Sequence, residues 1–277
     1  MFNIVNLNYF LCAEMMTIHK ILGFLHWQKH AKTKQGHRVH SPFLFSLIQN
    51  HLHKKISAEW AERAEQQRQK MLCNNSIIEI NDLGTGSKFA HSNRRSIKSI
   101  ARWSSTSKRD AQLLYNLANY MQSQTIVELG TNLGLGTIYL ANVPSCKRVI
   151  TIEGCSNLVR QAQLLFKSQK LDNIDVINND FSIALPMILE RVEQLDFVFF
   201  DGNHSYKPTI EYFNYCLPLA HNNTVFVFDD IHKDKEMEKA WREIVNNEKI
   251  TLSLDFYTLG VAFFKRELSK QTICLRY

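Results

Sequence analysis

The 277-residue chain is 45% hydrophobic and 21% charged, with a formal net charge of +7; these proportions suit a folded protein with a sizeable core and exclude a disordered or fibrous one. The six cysteines, at 12, 73, 146, 155, 216 and 274, form no C-x-x-C pair and no metal-ligand spacing, which excludes a disulfide framework or zinc site and predicts reduced thiols in a cytoplasmic protein. No stretch reaches the ~20 apolar residues of a membrane span, and the opening MFNIVNLNYFLC lacks a basic flank, so no membrane partner is expected.

The charge is uneven. Residues 1–124 hold 17 Lys+Arg against 7 Asp+Glu, while residues 125–277 hold 16 against 19, so the basic excess is N-terminal. Eight of the eleven histidines share that part, several in HWQKHAKTKQGHRVHSPF at 26–43, which reads either as a phosphate-contacting surface or as a solvated basic face. A second glycine pair, Gly84 and Gly86, has no strong helix behind it and reads as a loop turn rather than a phosphate cradle. Residues 1–105 are expected to form a basic, mainly helical extension or cap, and 106–277 the second domain.

From Ser107 the chain alternates. Ser107 with Asp110 offers a capping box before the apolar face Leu113, Leu114, Leu117, Tyr120 and Met121, so 108–122 should be a helix. TIVEL (125–129) reads as a buried strand, VITIEG (149–154), IDVINND (174–180), LDFVFFDG (195–202) and TVFVFDD (224–230) as further strands, and 156–169, 181–192, 208–220 and 234–247 as helices. TLSLDFY and GVAFFKR stand too close for a crossover and should form an antiparallel hairpin. The expected fold is α/β: a Rossmann-like, doubly wound, mostly parallel seven-stranded sheet closed by an antiparallel edge hairpin.

Two patterns predict a ligand. Gly130, Gly134 and Gly136 follow the first strand as a turn that something must approach closely, and Glu128, Glu153, Asp180, Asp201 and Asp229-Asp230 place acid at all five parallel strand tips, where open α/β sheets bind ligands. One such acid is most simply a helix cap, but five in register call for hydroxyls, amines or a cation. The G-x-x-x-G-x-G order differs from the dinucleotide fingerprint, while Glu153 lies 23 residues after Gly130, close to the usual spacing for a ribose-binding carboxylate. S-adenosylmethionine fits: it brings a ribose, an adenine amine for Asp180, and cationic groups for the acidic cleft.

With ELGTNLGLGT, TIEG, NNDF and DFVFFDGNHSY in that order, residues ~107–265 resemble a class I S-adenosylmethionine-dependent methyltransferase. DFVFFDGNHSY followed by FVFDDIH is similar to the small-molecule O-methyltransferases that include the catechol and caffeoyl-CoA enzymes. The resemblance implies that Glu128, Gly130, Thr131, Gly134 and Gly136 wrap the methionine moiety, Glu153 holds the ribose, Asp180 lies near the adenine, and Asp201 contacts the cofactor at the methyl-transfer centre. It also implies a divalent cation such as Mg²⁺ on Asp201, Asp229 and Asp230, with acid where that group has asparagine, and His204 as base where it has lysine. A small-molecule methyl acceptor is the expected partner, with a homodimer allowed. Two other readings stay open: an RNA methyltransferase using the basic N-terminal region, and a non-catalytic nucleoside-binding module.

Overall fold

The computed structural model describes residues 23–31, 41–80 and 93–277. The opening apolar segment, half of the histidine-rich stretch (residues 32–40) and the Gly84–Gly86 pair lie outside the described residues.

An α-helix over residues 23–30 (α1) is followed by α2 (Pro42–Ser46), a π-helical turn (Leu47–Leu52) and α3 (Glu59–Leu72). Strands β1 (Ile77–Glu79) and β2 (Arg94–Ser96) pair antiparallel and lead into α4 (Ile97–Trp103). The expected alternation then begins. It runs α5 (Lys108–Tyr120), β3 (Thr125–Leu129), α6 (Leu135–Ala141), β4 (Arg148–Ile152), α7 (Ser156–Gln169), β5 (Ile174–Ile177), α8 (Phe181–Leu189), β6 (Leu195–Phe200), α9 (Tyr206–Cys216), β7 (Ala220–Asp229) and α10 (Lys235–Asn246). Ser107 caps α5 as its sequence predicts, its side chain accepting the Asp110 N–H, while the Asp110 carboxylate takes the Ser107 hydroxyl proton at 2.6 Å.

The main sheet has eight strands, not the seven expected. Strands β8 (Leu252–Asp255) and β9 (Leu259–Phe263) form the predicted hairpin, and β10 (Gln271–Cys274) adds a parallel edge strand against β8, giving the order β10-β8-β9-β7-β6-β3-β4-β5. Four residues after a charged loop are too few to show alternation in the sequence. β10 forms because the outer edge of β8 offers a ladder to complete.

Alternate strand residues serve opposite faces. Ile126, Phe197, Phe199, Val225 and Val227 pack with Leu113, Leu114 and Leu117 of α5, whereas Val127, Val198, Phe200, Phe226 and Phe228 pack under α8, α9 and α10. Leu44, Leu47, Ile48 and Leu52, from the N-terminal region, are buried in the first of these cores. The described part of the extension therefore contributes to the sheet's own core.

Candidate functional site

The parallel order places the tips of β3, β4, β5, β6 and β7 along one end of the sheet, and five acidic positions follow from it. Between β4 and β6, the chain leaving β3 has no room for a side chain. Gly130 has φ 105°, and a Cβ there would overlap the backbone oxygen of Asp201. Gly134, at φ 79°, starts α6, and a Cβ on it would lie 2.6 Å from the Phe166 ring. Gly136 lies within α6, where a Cβ would press on the Thr106 hydroxyl at 2.7 Å. The sharp turn is thus required by packing at both ends.

Glu128 is buried, with 1% of its surface accessible. The Thr137 and Thr151 hydroxyls both donate to its carboxylate at 2.6 Å, and the Thr131 hydroxyl meets that of Thr151 at 2.6 Å. Burial nevertheless raises the Glu128 pKa to about 7, against the pull of the two hydroxyl donors. Glu153 binds backbone: its carboxylate accepts the N–H of Asn132 in the glycine turn and that of Cys155, each at 2.9 Å. It therefore holds the turn against β4. Asp180 caps α8, accepting the Ser182 N–H at 2.8 Å.

At the tips of β6 and β7, Asp201, His204 and Asp229 bring their ligand atoms within 4.8 Å of one another. His204 Nε2 stands 3.5 Å from Asp201 Oδ1. The Asp201 and Asp229 carboxyls are close enough that ionising both is opposed. Burial, then repulsion from Asp229 and Asp230, raises Asp201 well above the carboxylate range; burial and the Asp230 charge raise Asp229 to about 7. Burial lowers the pKa of His204 against the attraction of Asp230. Asp230, the third acid expected in a cation site, is not in this group, and His204, expected as a base, is. Asp230 follows Asp229 in a left-handed conformation at φ 56° and acts on the group through its charge.

The sequence reading missed the Thr137 and Thr151 donors to Glu128; a β3–β4 register could have suggested Thr151, which pairs with Glu128, but not Thr137 on α6. It also missed a polar chain beyond β7. His232 Nε2 meets Asp255 Oδ2 at 2.8 Å, its Nδ1 lies 3.5 Å from Glu238 Oε1, and its ring stacks on Tyr257. A groove of 690 Å³ lined by Glu65, Lys108, Gln112 and Tyr139 contains none of the strand-tip acids.

Residues 127–231, which hold the glycine turn and all five acidic tips, match a family model described as a methyltransferase domain. A catechol O-methyltransferase from Niastella koreensis is 31% identical over 133 residues, covering 47% of this chain and 59% of that protein. The chain thus spans less than two thirds of that relative's length. Among solved structures, an O-methyltransferase from Bacillus cereus in complex with S-adenosylhomocysteine superposes with a TM-score of 0.54 at 18% identity, covering 76% of this chain and 93% of that one. The O-methyltransferase TomG from Streptomyces achromogenes, in complex with S-adenosylmethionine, gives 0.52 at 18% identity, covering 76% and 91%. Residues 127–231 match a methyltransferase domain, and the chain shares its fold with these O-methyltransferases.

Proposed function

We propose that this protein transfers a methyl group from S-adenosylmethionine to a hydroxyl oxygen of a small molecule, and that it does so in the cytoplasm. The observation that carries the reading is the buried Asp201–Asp229 pair, with His204 beside it, at the strand tips next to the glycine turn. Two buried carboxyls that oppose each other's ionisation are suited to a cationic partner, which is the charge that a sulfonium, an ammonium or a divalent cation brings. The acids at successive tips fit the donor: Glu153 for ribose hydroxyls, Asp180 for the adenine side, and the Glu128-to-Gly136 turn, with Gly130, Thr131 and Gly134, around the amino-acid end. The free state of all five described cysteines is in keeping with a reducing compartment.

The bound donor supplies an electrophilic methyl group on sulfur. The protein's own task is to hold the acceptor oxygen in line and remove its proton. His204, kept neutral by burial, takes that proton on a ring nitrogen, and the nearby charge of Asp230 steadies the imidazolium formed. Asp201, His204 and Asp229 form a donor set of two carboxylate oxygens and one imidazole that fits a divalent cation. Such an ion, when bound, would lower the pKa of the hydroxyl and fix its oxygen, and His204 would then serve as ligand rather than base.

Methyl-labelled S-adenosylmethionine, incubated with the protein and a panel of hydroxyl compounds with and without EDTA, tests the reading: a labelled ether product is expected. Binding of the donor with no labelled product from any compound would leave a binding module instead. The exposed basic-aromatic end of α4, with Lys98, Arg102 and a 77%-exposed Trp103, favours RNA as the second acceptor class, and salt-dependent RNA binding would mark it.

A further inference from the structure

The β7–β9–β8 register sets a distance. Gly260 of β9 pairs with Phe228 of β7 on one side and with Asp255 of β8 on the other, so Asp255 lies two strand spacings, about 10 Å, from the end of β7. Strand β8 runs parallel to β7, which brings Asp255 to the same end of the sheet as Asp229. Its carboxylate is fully engaged there: Oδ1 accepts the Tyr257 N–H at 2.8 Å and Oδ2 meets His232. Tyr257 is held at φ 74°, a strained conformation for a residue with a bulky side chain.

Several contacts extend from this part of the chain to the N-terminal helix. The Trp27 indole N–H donates to the Asp255 backbone oxygen at 3.1 Å in a buried bond. The Tyr257 ring meets Phe24 edge-on at 5.1 Å and Trp27 at 5.7 Å, and its hydroxyl shares a hydrogen bond with the Phe24 backbone. Arg276 bonds the Gln28 backbone oxygen. The loop following β7 is reached from the other side, through His232. One residue thus joins the N-terminal helix to the loop that begins at Asp229 and Asp230.

We propose that Asp255 is a positioning residue: it ties α1 to the loop of residues 230–234, so that the aromatic face of α1 stands as a fixed wall on the acceptor side of the acidic group. This rests on the methyl-transfer reading. The specificity of the reaction is then set in part by residues outside the matched 127–231 segment.

The test uses the full chain with Asp255→Ala, Asp255→Asn and Trp27→Ala, followed by amide hydrogen exchange and by calorimetry with S-adenosylhomocysteine. Asp255→Ala should speed exchange about tenfold in both 23–30 and 230–234 while leaving strand β3 protected and the S-adenosylhomocysteine affinity within about twofold. Asp255→Asn keeps an oxygen for the Tyr257 N–H and should restore much of the protection. Trp27→Ala should loosen 23–30 and, on whichever panel compound the wild type methylates, raise KM about tenfold with kcat nearly unchanged. Faster exchange in one segment without the other, or an unchanged KM in Trp27→Ala, overturns the proposal. Failure of wild-type protein to bind S-adenosylhomocysteine overturns instead the reading it rests on, and the exchange result judges the tie independently.

Discussion

Asp201 and Asp229, at the ends of neighbouring strands β6 and β7, bring carboxylate oxygens within 4.8 Å of each other, and burial among neighbouring acids raises Asp201 well above the carboxylate range and Asp229 to about 7. This charge conflict lies next to the glycine turn, since the Asp201 backbone packs against Gly130.

The pair should be visible in stability. With Asp229 at about 7, the folded protein retains a proton that the unfolded chain has already released, so ligand-free stability falls as pH rises from the ordinary carboxylate range to about pH 7. Asp229→Asn removes that penalty and should raise Tm at pH 8 by about 2–4 °C, the shift for about 1 kcal/mol in a chain of this size, with little change at pH 5. Scanning calorimetry at the two pH values checks it; an equal effect at both would mean that Asp229 titrates as an ordinary carboxyl.

His204 and the cation separate under chelation. If His204 is the base, EDTA leaves the rate unchanged and His204→Ala lowers it by about 10²–10⁴-fold. The acid limb of kcat/KM should then lie below the ordinary histidine range, because burial lowers the His204 pKa. If a cation is required, EDTA abolishes activity, Mg²⁺ or Mn²⁺ restores it, and Asp229→Ala resembles the chelated enzyme. A rate indifferent to both EDTA and His204→Ala places the chemistry away from this corner of the sheet.

Gly130→Ala forces a side chain against the Asp201 backbone at φ 105°. Both the strained backbone and the overlap act, so unfolding should cost more than about 3 kcal/mol less than in wild type, read from urea titration. Near-wild-type stability would show that β3 and β6 can separate at this point.

Glu153→Ala should weaken S-adenosylhomocysteine binding by about 1.5–3 kcal/mol through loss of charged hydrogen bonds to ribose. Because Glu153 also accepts the Asn132 and Cys155 N–H groups, some loss of Tm should accompany it. A lower Tm with unchanged affinity would assign Glu153 to the turn alone.

Most of the sheet was legible because its strands are short, β-branched and aromatic, and its helices amphipathic: Ser156–Gln169 begins and ends where its pattern does. The acidic tips were legible because each acid ends an apolar run. What could not be read depends on contacts between distant segments. β10 is specified by the free edge of β8, the burial of Leu44 and Leu47 by a core formed 70 residues later, and the bond from Trp27 to Asp255 by two residues 228 apart in sequence. Asp230 was expected with Asp229 because the resemblance places a ligand pair at that strand tip, whereas the geometry groups His204 with Asp201 and Asp229.

The central claim is that the acidic strand tips around the Gly130–Gly136 turn receive an S-adenosyl nucleoside. Calorimetric titration of S-adenosylhomocysteine into the full chain tests it most directly. The account predicts one site per chain with a micromolar Kd and no detectable heat from NAD under the same conditions. Absence of S-adenosylhomocysteine binding, or binding of NAD in its place, would contradict it.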